Sequence, residues 1–120
     1  VPANIYVYFP AADEGLDRED LADELEMFFG AAAEDCGAGS DTGGFNLDYE
    51  LAAGEDHHVW ADSLKPFLAN LGVPPGTAFT VFPDGWRLGA EWRTVCVYGE
   101  DQRRTDDPVR AVRGITKRCP

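Results

Sequence analysis

A chain of 120 residues, 44% apolar and 27% charged, has the size and make-up of one folded domain with its own core, which excludes a disordered polymer. Its 22 acids against 10 bases give a net charge of −12, which argues against nucleic acid as a partner of the body. No apolar run approaches the roughly 20 residues needed to cross a bilayer.

Ile5-Tyr6-Val7-Tyr8-Phe9 is a β-branched and aromatic run stopped by Pro10, and it predicts a strand. A helix follows, with Asp17 as N-cap and Leu16 and Leu21 placed for a hydrophobic staple. Asp17, Glu19 and Asp20 load its first turn with negative charge, where the helix dipole favours it. Leu21, Leu25, Phe28, Phe29 and Ala32 form one apolar stripe, and Gly37 is the expected terminator. Gly37 to Gly44 reads as a glycine-rich loop. Phe45-Asn46-Leu47-Asp48-Tyr49-Glu50-Leu51 then alternates apolar and polar, as a strand with one wet face does.

Trp60, Leu64, Phe67, Leu68 and Leu71 fit one face of a second helix closed by Gly72. Pro66 suits a first turn, so Asp62 is the expected N-cap and residues 56–61 a lead-in. Thr77–Phe82 and Trp92–Tyr98 read as two strands of an antiparallel hairpin with a long loop. Val109, Ala111 and Val112 after Asp107-Pro108 suggest a short tail helix.

The order β-α-β-α-β-β plus a short C-terminal helix predicts an α+β two-layer sandwich. In it a four-stranded mixed sheet carries both helices on one face. Residues 1–98 form the domain and 99–120 a charged appendage, docked or loose. The opening Val1-Pro2-Ala3-Asn4-Ile5 lacks the basic flank and apolar stretch of a secretory signal. Cys36, Cys96 and Cys119 form no CxxC pair, so three unpaired thiols in a reducing cytoplasm are the expectation.

Catalytic and cofactor signals are weak. The glycine-rich stretch leaves a helix and enters a strand, the reverse of a phosphate loop, and it carries Asp41 but no Lys. His57 and His58, with Asp62 nearby, offer imidazole and carboxylate to a divalent metal, but at no recognised ligand spacing. Surface histidines near a helix start are the plainer reading. No nucleophile elbow or catalytic-cysteine context occurs. A non-enzymatic protein with no cofactor is therefore the expectation, and a small metal-dependent enzyme or metal binder the alternative.

The aromatic and acidic residues carry more. Strand alternation puts Tyr6 and Tyr8 on one face, Asp48 and Glu50 on one face, and Trp92 and Tyr98 on one face. If these sets share the helix-free side, that surface suits a protein presenting Arg or Lys. Residues 1–98 hold 18 acids and 4 bases, a net of −14, whereas 99–120 hold 4 acids and 6 bases, a net of +2. A basic partner explains the acidity. So does an adaptation to solubility or high salt, which fits the presence of only two lysines, Lys65 and Lys117. A tail or a second copy of the chain lying on the same face, the latter making a homodimer, are the competing occupants.

Gly39-Ser40-Asp41-Thr42-Gly43-Gly44-Phe45-Asn46-Leu47-Asp48 and Leu71-Gly72-Val73-Pro74-Pro75-Gly76-Thr77 resemble small, uncharacterised bacterial α+β proteins. In those, a glycine-rich loop enters an Asp-bearing strand, and a second helix ends in a Gly-Val-Pro turn. The resemblance implies a ferredoxin-like variant, and similar small acidic proteins act as immunity partners of toxins. It covers roughly residues 37–77 and rests mostly on turn chemistry.

Overall fold

The computed structural model describes residues 2–10, 17–41, 44–85, 91–100, 102–104 and 119. Leu16 of the expected staple and the expected tail helix lie outside them. Asn4–Pro10 form β1, and Arg18–Phe29 form α1, capped by Asp17, whose carboxylate accepts from the Glu19 amide at 2.8 Å. The helix ends at Gly30 rather than Gly37, because Gly30 takes a φ of 55° that side chains resist. After one 3-10 turn, Ala33–Asp41 run as β2 and Gly44–Leu51 return as β3.

His57–Asn70 form α2. Its N-cap is Asp56, which accepts from the His58 amide at 2.9 Å, so the later start at Asp62 is corrected. Pro66 lies inside this helix and is exposed, so its missing amide removes one ladder bond without disturbing the buried stripe Ala61, Leu64 and Leu68. Ala78–Phe82 form β4, Trp92–Cys96 β5 and Gln102–Arg104 β6.

The sheet runs β2-β3-β1-β4-β5-β6, every neighbouring pair antiparallel. It has five strands of five to nine residues and a three-residue sixth, so the expected four-stranded mixed sheet is replaced by a larger antiparallel one. Two strands were unforeseen: the short β6 in the tail, and β2, hidden in Ala33-Glu34-Asp35-Cys36-Gly37-Ala38-Gly39-Ser40-Asp41. As an edge strand it needs no apolar alternation, and its glycines make room for side chains of β3. A Cβ on Gly39 would stand 3.0 Å from Asn46 Oδ1, and one on Gly37 3.6 Å from Asp48 Oδ2. A bulge between Asp35 and Gly37 bends it, as edge strands often bend.

Both helices cover one face. Ile5, Val7 and Phe9 of β1 sit at its centre with Leu47, Tyr49, Phe79 and Val81. Leu21, Leu25 and Phe29 of α1 and Ala61, Leu64 and Leu68 of α2 close over them. Phe28 locks the helices together, its ring centroid 4.5 Å from Phe67 and 5.4 Å from Trp60. Burial of a large side chain contributes roughly 1.5–3 kcal/mol, so this layer dominates the stability.

Cys96 and Cys119 are joined by a disulfide, their Cα atoms 5.3 Å apart, which corrects the expectation of three free thiols. Cys36 is free and exposed. The crosslink closes a 23-residue separation, worth about 3 kcal/mol in the chain-entropy account. It also removes the support that unpaired thiols lent to a reducing compartment. No helix among the described residues is long and apolar enough to cross a membrane.

Gly44 is the tightest point of the β1–β3 pairing. It lies opposite Pro10 at a φ of 144°, and a Cβ there would come within 2.0 Å of the Phe9 carbonyl oxygen. Gly44→Ala therefore combines a clash with backbone strain, and chemical denaturation is expected to show a loss of at least about 2 kcal/mol. An unchanged midpoint would contradict the pairing.

Candidate functional site

The register of β1 sorts the candidate residues. Tyr6 lies opposite Asp48 on β3 and Thr80 on β4, while Tyr8 lies opposite Asn46 and Ala78. Asn4 faces Glu50. Beyond β4, Ala78 pairs with Cys96 and Thr80 with Thr94, so Trp92, two residues before Thr94, shares the same face. Tyr6, Tyr8, Asp48, Glu50 and Trp92 thus stand together on the helix-free side.

Tyr98 does not join them. The β5 strand ends at Cys96, and the Tyr98 hydroxyl donates to the Val73 carbonyl just after α2. Alternation holds only while a strand continues, and here it stops one step short.

The helix-free face divides in two. Over β4 and β5 it is sealed: Ala78, Thr80 and Phe82 are 0% exposed, Thr94 2% and Trp92 3%. Phe82 and Trp92 pack together with Tyr6 against them, the Tyr6 and Phe82 rings edge to face at 5.3 Å. Thr80 and Thr94 hydroxyls bond each other at 2.9 Å, so this polar pair is satisfied in the dry. Tyr8 and Ala78 form a separate cluster against which Cys119 packs.

Over β2, β3 and the near edge of β1 the face is open. Glu34, Cys36 and Glu50 are exposed there, and Asn4, Tyr6, Asn46 and Asp48 half-buried, while Asp35, opposite Tyr49, belongs to the helix side of the sheet. Asn46 Nδ2 donates to Asp48 Oδ1 at 2.6 Å, and Asn4 Nδ2 lies 3.7 Å from Cys36 Sγ. Burial raises the Asp48 pKa above its ordinary value, Asp35 adds to the rise, and the Asn46 bond opposes it. Burial, followed by the charge on Asp48, also raises the Tyr6 hydroxyl. The Cys36 thiol rises for the same two reasons, so it stays protonated and a poor nucleophile at neutral pH. Tyr49, on the helix side of the same strand, is pushed up to about 12, chiefly by burial. The open half is therefore acidic and carries the hydrogen-bonding amides of Asn4 and Asn46.

The histidines lie elsewhere. His57 and His58, at the start of α2, have ring centroids 4.1 Å apart and line a cleft with Pro83, Glu91, Trp92 and Arg93. Burial, and next to it the neighbouring His58, hold His57 below its usual pKa. Asp62 pairs with Arg93 at 3.7 Å instead of turning to the imidazoles. Among the described residues no three His, Cys, Asp or Glu side chains are grouped to hold a metal ion.

Comparison with protein family models, with curated proteins and with solved structures finds no match to this chain.

A pH dependence follows from Asp48. Burial raises its folded pKa above the ordinary carboxylate value, so the folded state holds the proton more tightly than the unfolded chain. Ionised Asp48 thus costs stability at neutral pH, and the cost is shed as pH falls through the raised pKa. Asp48→Asn keeps the acceptor for Asn46 and removes the charge. Its melting temperature is expected to exceed that of the parent at pH 7, the gap closing on acidification to the ordinary carboxylate range. A gap that is absent at pH 7, or that widens in acid, would contradict the assignment.

Proposed function

We propose that this chain is a non-enzymatic protein-binding module that engages a basic protein through the open half of its helix-free sheet face. The observation that carries the reading is the gathering of Glu34, Asp48 and Glu50 on the same face as the half-buried Tyr6 of a hydrogen-bonded sheet. Carboxylates beside an aromatic ring suit Arg and Lys, through charge-assisted hydrogen bonds and cation–π contact. Field complementarity of this kind acts chiefly on association rate and partner choice. The raised pKa of Asp48 means that a cation docking there would relieve an existing electrostatic cost.

We read the fold as a ferredoxin-like variant extended by β5 and β6. Support comes from the chain order β-α-β-β-α-β through β4 and the spatial order β2-β3-β1-β4 with antiparallel neighbours. A small acidic domain with an acidic sheet surface also fits an immunity-like role against a basic toxin. Pairing of two copies through the whole face has less apolar support, since Tyr8, Phe82 and Trp92 are buried within the single chain.

The test is retention of native-source proteins on the parent chain and on a Glu34→Lys/Glu50→Lys double variant, both checked for folding. The reading expects a basic protein retained by the parent, lost by at least about tenfold on the variant and weakened by salt. Retention of the same proteins by both forms, or of none by the parent, would overturn it.

A further inference from the structure

The two edges of the sheet are built differently. At one end β6 is three residues long, whereas at the other β2 runs for nine without a Lys or a Pro. Short edges, lysines and prolines are the usual guards against strand addition. The β2 strand carries only its bulge, which leaves residues 37–41 as a regular stretch. The direction of its backbone groups follows from β3. The Leu51 amide donates to the Ala3 carbonyl and the Ala52 amide to the Ala32 carbonyl, so odd-numbered residues of β3 bond toward β1 and even-numbered ones toward β2. Gly39, opposite Asn46, therefore bonds inward. Ala38 and Ser40, opposite Leu47 and Phe45, turn their amides and carbonyls to the open edge, and both residues are exposed.

We propose that the basic partner adds an extended segment to this edge, pairing its backbone with Ala38 and Ser40 and laying Arg or Lys side chains over the helix-free face. The inference rests on the basic-partner reading and supplies its binding mode. Main-chain hydrogen bonds to a sheet edge give affinity, and alternate side chains give the choice of partner. Gly37 and Gly39 put no side chain between the edge and the groups of β3. A Cβ on Gly37 would stand 3.6 Å from Asp48 Oδ2, and one on Gly39 3.0 Å from Asn46 Oδ1. Neighbouring strands lie about 4.8 Å apart, so an added strand stands roughly 10 Å from β3, a span that a long basic stem and the Asp48 side chain close between them. Glu34, on β2 itself, and Glu50 opposite it add charge at one end of the edge. A second copy of the chain is a poor occupant, because each copy carries a net charge of −12.

The experiment uses the full chain and a blocked peptide of roughly eight residues alternating Arg and Thr, long enough to pair with one strand. A fully N-methylated counterpart keeps the charge and offers no amide donor. Affinity is read by titration, and amide exchange at Ala38, Gly39 and Ser40 by NMR. In the free chain Gly39 is expected to be protected and Ala38 and Ser40 to exchange freely. Saturating Arg-Thr peptide is expected to slow Ala38 and Ser40 by at least about tenfold, and the N-methylated form to bind at least about tenfold more weakly. Ser40→Pro removes an outward donor and no bond to β3, and is expected to weaken binding of the unmethylated peptide alone. Equal, salt-sensitive binding of both peptides with Ala38 and Ser40 still exchanging freely overturns strand addition and leaves the basic-partner reading standing. Binding of neither peptide overturns strand addition as well, and the reading itself then stands or falls on retention by the Glu34→Lys/Glu50→Lys variant. Protection of Ala38 and Ser40 in the free chain also overturns it, since the edge is then already paired.

Discussion

The structure turns on β1 being bonded on both sides, to β3 and to β4, in a single register. Side chains alternate strictly along a strand, so that register decides every neighbour's orientation. Ile5, Val7 and Phe9 point into the helices, while Asn4, Tyr6 and Tyr8 point away, each opposite a polar residue of β3: Glu50, Asp48 and Asn46. A slip by one residue would bury Asp48 under α1 and α2 and lift Leu47 into water. The cost of that exchange, one uncompensated carboxylate and several large apolar groups, is many times the few kcal/mol by which domains are stable.

The helix-free face uses one backbone scaffold for two chemistries. Over β4 and β5 its residues are small, hydroxyl-bearing or aromatic, and they tolerate complete burial because Thr80 and Thr94 satisfy each other. Over β2 and β3 they are acidic, and the glycines of β2 keep that surface low enough for Asn46 and Asp48 to lie across it. Tyr6 stands at the boundary, its ring against Phe82 on one side and its hydroxyl under the influence of Asp48 on the other. The boundary between dry and wet therefore runs along β1.

Much of this was legible in the sequence where side-chain period and burial agree. The alternation of Phe45 to Leu51 and of Ile5 to Phe9 located two strands and the shared face of Tyr6, Tyr8, Asp48 and Glu50. The stripes of α1 and α2 located the covered face. What escaped were the two edge strands: β6, three polar residues long, and β2, because a strand built from Gly, Ala, Ser and Asp has no apolar period to read, and the same glycines that suggest a loop serve a close strand contact. Tyr98 was misplaced because a turn closed by the Gly99 amide on the Cys96 carbonyl ends β5, and the Tyr98 hydroxyl then donates to Val73 beyond α2. The start of α2 was misplaced because a proline at position 66 suggests a helix N-terminus, whereas here Asp56 caps the helix and Pro66 faces solvent. The Cys96–Cys119 pairing depends on two residues brought together only by the fold, and no spacing announces it.

Cross-strand NOEs in the folded chain test the register of β1 most directly, since both halves of the face are built on it. The account predicts backbone contacts linking Tyr6 to Asp48 on one side and to Thr80 on the other. Contacts that instead join Tyr6 to Leu47 or Tyr49 would turn the carboxylates inward and contradict it.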